Sequence, residues 1–176
     1  GGMDALLVPH GGPEGLSAER AVQREGPPPE RSGAHHGRGH LDEDRVRRRS
    51  AELTFDIKLE PWPARGDATA LERAVTNVLD NAVKWSPPGG TITVRLHDGE
   101  LRVGDCGPGI ADEDLPYVFD RFYRATPARR MPGSGLGLAI VRQVAQRHGA
   151  SVSAHRAECG GTRVVFRLPA YPQPPD

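Results

Sequence analysis

The segment TITVRLHDGELRVGD, residues 91–105, constrains the fold more than any other stretch of the chain. Two apolar–polar alternations flank Asp98-Gly99, a dipeptide suited to the two-residue turn in which both central positions need positive φ. Strands joined that tightly are antiparallel neighbours, so a purely parallel sheet is excluded.

The other elements arrange themselves around this hairpin. LTFDIKLE, 53–60, places Leu53, Phe55, Ile57 and Leu59 on one face and predicts a strand. PWPARGD, 61–67, reads as a loop. Asp67 and Thr69 are both good helix caps, and Thr69-x-x-Glu72 fits a capping box. The helix that follows should run to about Trp85, where Pro87 and Pro88 end it. An irregular stretch from Cys106 to about Ser134 comes next, and loops of that length are uncommon without a function. LGLAIVRQVAQRHG then predicts a helix closed by Gly149, and ASVSAHR with TRVVFRLP predicts a hairpin around AECGG. The expected fold class is α+β: a two-layer α/β sandwich with a mixed sheet and its helices on one face.

Residues 1–50 differ in kind. REGPPPERSGAHHGRGH is rich in Gly, Pro, His and Arg and has too little apolar surface to offset its ordering entropy, so a disordered extension is expected. A short helix is expected near Leu41, carrying RVRRRSAEL. His35, His36 and His40 lack the Cys or carboxylate company of a metal site. The folded domain is expected over 51–170, with 171–176 a flexible tail.

Formal net charge is zero over 176 residues, which gives no general attraction to nucleic acid. No apolar run approaches the roughly 18 residues of a membrane span, and no signal-peptide pattern opens the chain. Cys106 and Cys159 are too few for a disulfide framework and lack metal spacing, so a reducing, cytoplasmic setting is the expectation, without membrane contact. Charge is nonetheless uneven. From Arg121 to His148 there are six arginines (121, 124, 129, 130, 142 and 147) and no Asp or Glu, either a solvated basic face or an anion site.

Three local patterns carry chemistry. On the first helix, Leu71, Val75, Val78, Leu79, Ala82 and Val83 fall on one side, with Asn77, Asn81 and Lys84 on the other and Trp85 at its margin. A plain solvated face uses better helix formers, whereas two amides and an ammonium suit a hard cation beside an anion. Asp105 shares the inward parity of Leu101 and Val103, so it is a buried acid needing a donor: either a structural cap for the following loop or the partner of a ligand N–H such as an adenine amino group. Gly107 and Gly109 either make turns or let a ligand approach the backbone. Finally, Gly133, Gly135 and Gly137 bring backbone amides to a helix start, an anion site that is neither a dinucleotide fingerprint nor a P-loop.

Together these residues resemble a family. NVLDNAVKWS resembles the N box of sensor histidine kinases, DCGPGI their first glycine box, FDRFYR the F box, GSGLGLAIV the second glycine box, and GGTRVVFRLP the closing hairpin. All stand in the family's order over about Leu53 to Pro169, and NAVKWSPPGG with FYR and GSGLGLAIVRQV is most similar to an actinobacterial branch. The resemblance implies the Bergerat ATP-binding fold, with ATP and Mg²⁺. It assigns Asn81 to the metal, Asn77 to the polar position one turn earlier, and Lys84 to phosphate. Trp85 stands beside adenine where the family usually has Tyr. Asp105 reads the base, with Gly107, Gly109 and Ile110 around it. Tyr123 and Arg124 form a lid pair, with Lys84 and Arg124 the charge-neutralising catalytic groups. Gly135, Leu136, Gly137 and Leu138 cover the phosphates, and Thr162 lies on the adenine side. The implied reaction is phosphoryl transfer from ATP to a histidine.

None of the seven histidines has the family's acceptor sequel, so no phosphoacceptor is assigned. The chain is expected to be the catalytic half alone, a monomer. Its partner is expected to be a histidine-bearing dimerisation hairpin domain, with a response regulator reached indirectly. A truncated gene product or misassigned reading frame would account for residues 1–50. Two alternatives remain at this level: a nucleotide-sensing module without transfer, and an anti-sigma-type serine kinase of the same fold.

Overall fold

A computed structural model describes residues 4–7, 52–124 and 135–170. The lid residues 125–134, the tail 171–176 and the N-terminal extension other than residues 4–7 lie outside the described residues, as does the helix expected near Leu41 except for Glu52 and Leu53, which are not helical.

Five strands form the main sheet in the order β2-β4-β5-β7-β6: β2 (Thr54–Leu59), β4 (Thr91–His97), β5 (Glu100–Gly104), β6 (Ser151–Arg156) and β7 (Thr162–Arg167). β2 and β4 are parallel, and the remaining neighbours are antiparallel. The parallel pair requires a crossover, which α1 (Ala68–Trp85) supplies. Asp98 (φ 48°) and Gly99 (φ 72°) make the tight β4–β5 turn, so the sheet is mixed as the hairpin demands. The second helix is α2 (Gly137–Arg147).

Both helices pack on one face of the sheet. Leu71, Val78 and Val83 of α1 and Val141 and Ala145 of α2 meet Ile92, Val94, Val103, Val164 and Phe166 of the strands in one core. Fully burying one such side chain contributes roughly 1.5–3 kcal/mol. Leu53, Phe55, Ile57 and Leu59, on or beside an edge strand, are only partly buried against this core.

Two details differ from the sequence expectation. Asp67, not Thr69, caps α1: its Oδ1 accepts from the Ala70 amide at 3.1 Å, so the helix starts one residue after it and no Thr69–Glu72 box forms. PWPARGD is not all loop. Trp62–Arg65 is a strand, β3, antiparallel to β1 (Asp4–Leu7), in a separate two-stranded sheet. Proline cannot donate to a ladder, so Pro63 favours a loop locally; edge strands tolerate it, and both strands of a two-stranded ribbon are edges.

The two helix ends are tied together. The His148 Nε2 accepts from the Asp67 amide at 3.0 Å, while its Nδ1 lies 2.7 Å from the Val144 carbonyl and donates to it. At the other end of α1, Ser86 is extended (ψ 139°), as the residue before a proline must be.

Candidate functional site

Asp105 sits where β5 ends. It is 2% exposed, beside Val103 on the core side of the strand. Its amide donates to the Thr162 carbonyl at 2.9 Å, extending the β5–β7 ladder by one residue. Its carboxylate accepts from the Gly107 amide at 2.9 Å and the Thr162 amide at 3.3 Å. Both bonds fall on Oδ1, which leaves Oδ2 for a ligand donor. Burial raises the Asp105 carboxyl above the ordinary range, and the two backbone donors only partly offset this.

The neighbouring glycines are crowded by the chain itself. A Cβ on Gly107 would lie 2.2 Å from the Trp85 carbonyl oxygen, and one on Gly161 would lie 2.1 Å from that of Asp105. Glycine therefore lets the end of α1, the loop after β5 and the β6–β7 turn meet at backbone distance. Gly109 likewise faces the Gly160 carbonyl, and Ile110 is half-buried against the core. Trp85, Asp105, Gly107, Gly109 and Thr162 thus form one cluster.

A second cluster lies further up α1. Asn77 is half-buried, and its Nδ2 is buried without a hydrogen-bond partner. Its Oδ1 would be 3.9 Å from a Cβ on Gly137, so Asn77 faces the first residue of α2. Gly135 (φ 72°) would bring a Cβ to 3.0 Å from the Tyr123 carbonyl and 3.2 Å from Arg124 Cγ, so the loop before α2 abuts the lid pair. Leu136 is the N-cap residue of α2, with Leu138 half-buried behind it. The backbone amides that open α2 carry the partial positive charge of a helix N-terminus.

α1 joins the clusters. Eight residues separate Asn77 from Trp85, about 12 Å along the axis. Asn81 and Lys84 stand between them, and all four are half-buried while Arg73 and Asp80 of the same helix are exposed. The Lys84 ammonium lies 5.5 Å from the Trp85 ring centroid. A half-covered strip of amides, ammonium and indole between a buried acid and a helix N-terminus suits an elongated ligand: N–H donors at one end, anionic charge at the other.

The arginine cluster divides up differently from a simple anion site. Arg142 pairs with Asp120 at 2.9 Å, and Arg121 lies over the Phe122 ring at 5.7 Å. Arg129 and Arg130 lie outside the described residues. Tyr123 donates its hydroxyl to Asp114 and packs against Tyr117 at 5.6 Å between centroids. Sequence reading passed over Asp114 and Asp120, which anchor the near end of the lid; acids in a loop give no local sign of their partners. It also passed over Gly161, although a Gly-Gly pair directly before Thr162 was a usable signal.

The cysteines form a pair that the sequence expectation did not include. Cys106 and Cys159 are disulfide-bonded to each other, with Cα atoms 5.4 Å apart across 53 residues of chain. Two cysteines make no framework, but the fold brings these two together.

Comparison with known proteins gives a consistent answer. The family described as histidine kinase-, DNA gyrase B- and HSP90-like ATPase matches residues 66–172. A signal transduction histidine-protein kinase/phosphatase MprB from Mycobacterium ulcerans is 48% identical over 140 residues, covering 74% of this chain and 27% of that protein. The chain thus spans about a quarter of the length of such curated relatives. Among solved structures, a mycobacterial sensor histidine kinase MprB superposes with a TM-score of 0.68 at 40% identity, covering 88% of this chain and 97% of that one. The ATP binding domain of PrrB from Mycobacterium tuberculosis gives 0.54 at 28% identity, covering 73% and 91%.

Proposed function

We propose, on the premise that this chain belongs to the histidine kinase-, DNA gyrase B- and HSP90-like ATPase family and is an ATP-binding catalytic domain of the sensor histidine kinase kind, that it transfers the γ-phosphoryl group of ATP to a histidine on a separate helical hairpin domain. The observation that carries the reading is a pair of unspent polar groups: Asp105, beside the C-terminal end of α1 and buried with both its carboxylate bonds on Oδ1, and Asn77, in the middle of α1, whose buried Nδ2 has no partner.

In this reading Asp105 accepts the exocyclic N–H of adenine, with Gly107, Gly109, Ile110 and Thr162 fixing its carboxylate and closing the base pocket. Trp85 walls the base. Asn77 offers its amide toward the phosphate end, where the opening turn of α2 from Gly135 to Leu138 presents backbone N–H groups. The donor set also fits a magnesium ion: an amide oxygen is a hard ligand, and Asn81 stands between base and phosphate clusters. Asn81 would hold Mg²⁺ there, and the ion would offset the negative charge of the phosphates. Lys84 and Arg124 supply the remaining positive charge, and Tyr123 positions the lid. Phosphoryl transfer asks mainly for such positioning and neutralisation.

The nucleophile comes from the partner hairpin, and the phosphoryl group passes on to a response regulator. The described residues include no helix long and apolar enough to cross a membrane. We place the domain on the cytoplasmic side, monomeric when isolated. The folded unit is 51–170, preceded by the extension and followed by the 171–176 tail.

Two measurements test this. ATP binding with and without Mg²⁺ is compared for wild type, Asp105→Ala and Asn81→Ala. Asp105→Ala is expected to abolish preference for adenine over guanine nucleotides, and Asn81→Ala to remove the Mg²⁺ dependence; wild-type behaviour in both sinks the assignment. Incubation with ATP and an isolated acceptor hairpin should yield acid-labile phosphate on the hairpin, and its absence despite tight ATP binding would reduce the function to nucleotide sensing.

A further inference from the structure

The Cys106–Cys159 bridge lies directly on the base pocket. Cys106 follows Asp105 in the chain, and Cys159 Sγ is 3.4 Å from the Asp105 carbonyl oxygen. The bridge therefore fastens the turn between β6 and β7 onto the loop that carries the acid. That turn reaches Asp105 through Gly161 and Thr162, whose amide and carbonyl make two of the three hydrogen bonds that hold Asp105. The turn's own support is light: Ala157 donates to Gly161 at 2.8 Å and Gly160 to Ala157 at 2.9 Å. Cys159 is exposed and Cys106 half-buried, so one sulfur of the bridge is open to attack from solvent. Exposed disulfides are the labile and regulatory ones, and a cytoplasmic disulfide is usually transient.

We propose that Cys106 and Cys159 form a reversible thiol–disulfide site, reduced by a dithiol, that sets nucleotide affinity through the backbone around Asp105. The proposal rests on the nucleotide-site reading above. A thiolate of the dithiol attacks Cys159 Sγ; the new S–S bond forms as the Cys106–Cys159 bond breaks, and the electron pair leaves on Cys106 Sγ, which takes up a proton. The second thiol of the dithiol then closes on the first and releases Cys159, which is protonated in turn. Two electrons and two protons reach the protein, and the dithiol becomes a disulfide. With the bridge closed, Asp105 and the Thr162 backbone are held in the binding arrangement before nucleotide arrives. With it open, binding must order the turn as well, which lowers affinity. Coupling is reciprocal: nucleotide that prefers the bridged form must make the bridge harder to reduce.

The test uses the full chain equilibrated in buffers of reduced and oxidised dithiothreitol. Alkylation of free thiols followed by mass measurement reads the bridge, and calorimetry reads ATP affinity in each state. The expected result is Kd about tenfold weaker in the reduced form. Saturating ATP should then displace the bridge's midpoint by about 30 mV toward resistance to reduction, the equivalent of a tenfold factor for two electrons. Cys159→Ser should bind ATP like the reduced wild type, whatever the dithiol ratio. Equal Kd in the two trapped wild-type states would overturn the proposal, as would two alkylatable cysteines in fully oxidised buffer. If the bridge titrates but neither state binds ATP, the nucleotide-site reading fails and takes the coupling with it.

Discussion

Replacing Gly161 with alanine tests the construction of the base pocket without touching a polar group. The added Cβ would lie 2.1 Å from the Asp105 carbonyl oxygen, 2.6 Å from its carbon and 2.7 Å from the Gly107 nitrogen. All three are backbone atoms, so no side chain can swing aside. Reaching ordinary contact at 3.4 Å requires the two segments to part by more than 1 Å. The Thr162–Asp105 bonds, now 3.3 Å and 2.9 Å, would then pass out of hydrogen-bonding range. Each contributes about 1 kcal/mol net, and relief of the clash by moving packed backbone adds to the loss. A destabilisation of about 2–3 kcal/mol is expected, or a Tm lower by roughly 10 °C. ATP affinity should fall as well, since Asp105 loses its alignment. Gly89→Ala is the control: its Cβ meets nothing within 4 Å, and at φ 72° it costs about 1–2 kcal/mol in backbone strain alone. It should lower Tm and leave Kd unchanged. Thermal unfolding and ATP calorimetry on both variants decide the matter. A Gly161→Ala chain with wild-type Tm and Kd would refute the close packing of turn on loop.

Asp105→Asn keeps an acceptor for Gly107 and Thr162 but removes a buried charge. Because burial raises the folded carboxyl above its ordinary value of 3.8, the stability it contributes is full below that value and is lost as pH rises through the higher folded one. Urea denaturation should therefore show Asp105→Asn gaining on wild type as pH rises toward neutrality and matching it in acid, and a constant difference across that range would contradict the burial argument. Asn77→Ala removes a buried amide nitrogen that has no partner, so it should not lower the ligand-free Tm while weakening ATP binding about tenfold; a clear Tm loss with intact binding would make Asn77 structural. Asp67→Ala removes the α1 cap and should cost about 1 kcal/mol in urea unfolding, whereas Thr69→Ala should cost much less.

Local patterning in the sequence was enough to specify most elements. The alternation in 53–60 and 91–105, the Asp98-Gly99 turn, the apolar stripe of α1 and the Pro87-Pro88 stop each act through neighbours a few residues apart, and side-chain periodicity alone places Asp105 on the core side of its strand. Sequence also grouped Asn77, Asn81 and Lys84, the candidate site residues of α1, because they share a face by helical geometry. What it did not contain locally was any relation between distant segments. The pairing of Trp62–Arg65 with Asp4–Leu7 overrode a proline-rich loop signal. The choice of Asp67 over Thr69 as cap accompanies the contact of the Asp67 amide with His148, 81 residues away. The glycines around Asp105 are required because three backbone segments cross there, a demand that only the packed sheet and helix create. The Cys106–Cys159 bond is the clearest case: two cysteines 53 residues apart carry no mutual signal, and they meet only because β5 and the β6–β7 turn close on the same acid. Propensity and periodicity are properties of short windows, whereas close approach between backbones is a property of the folded chain.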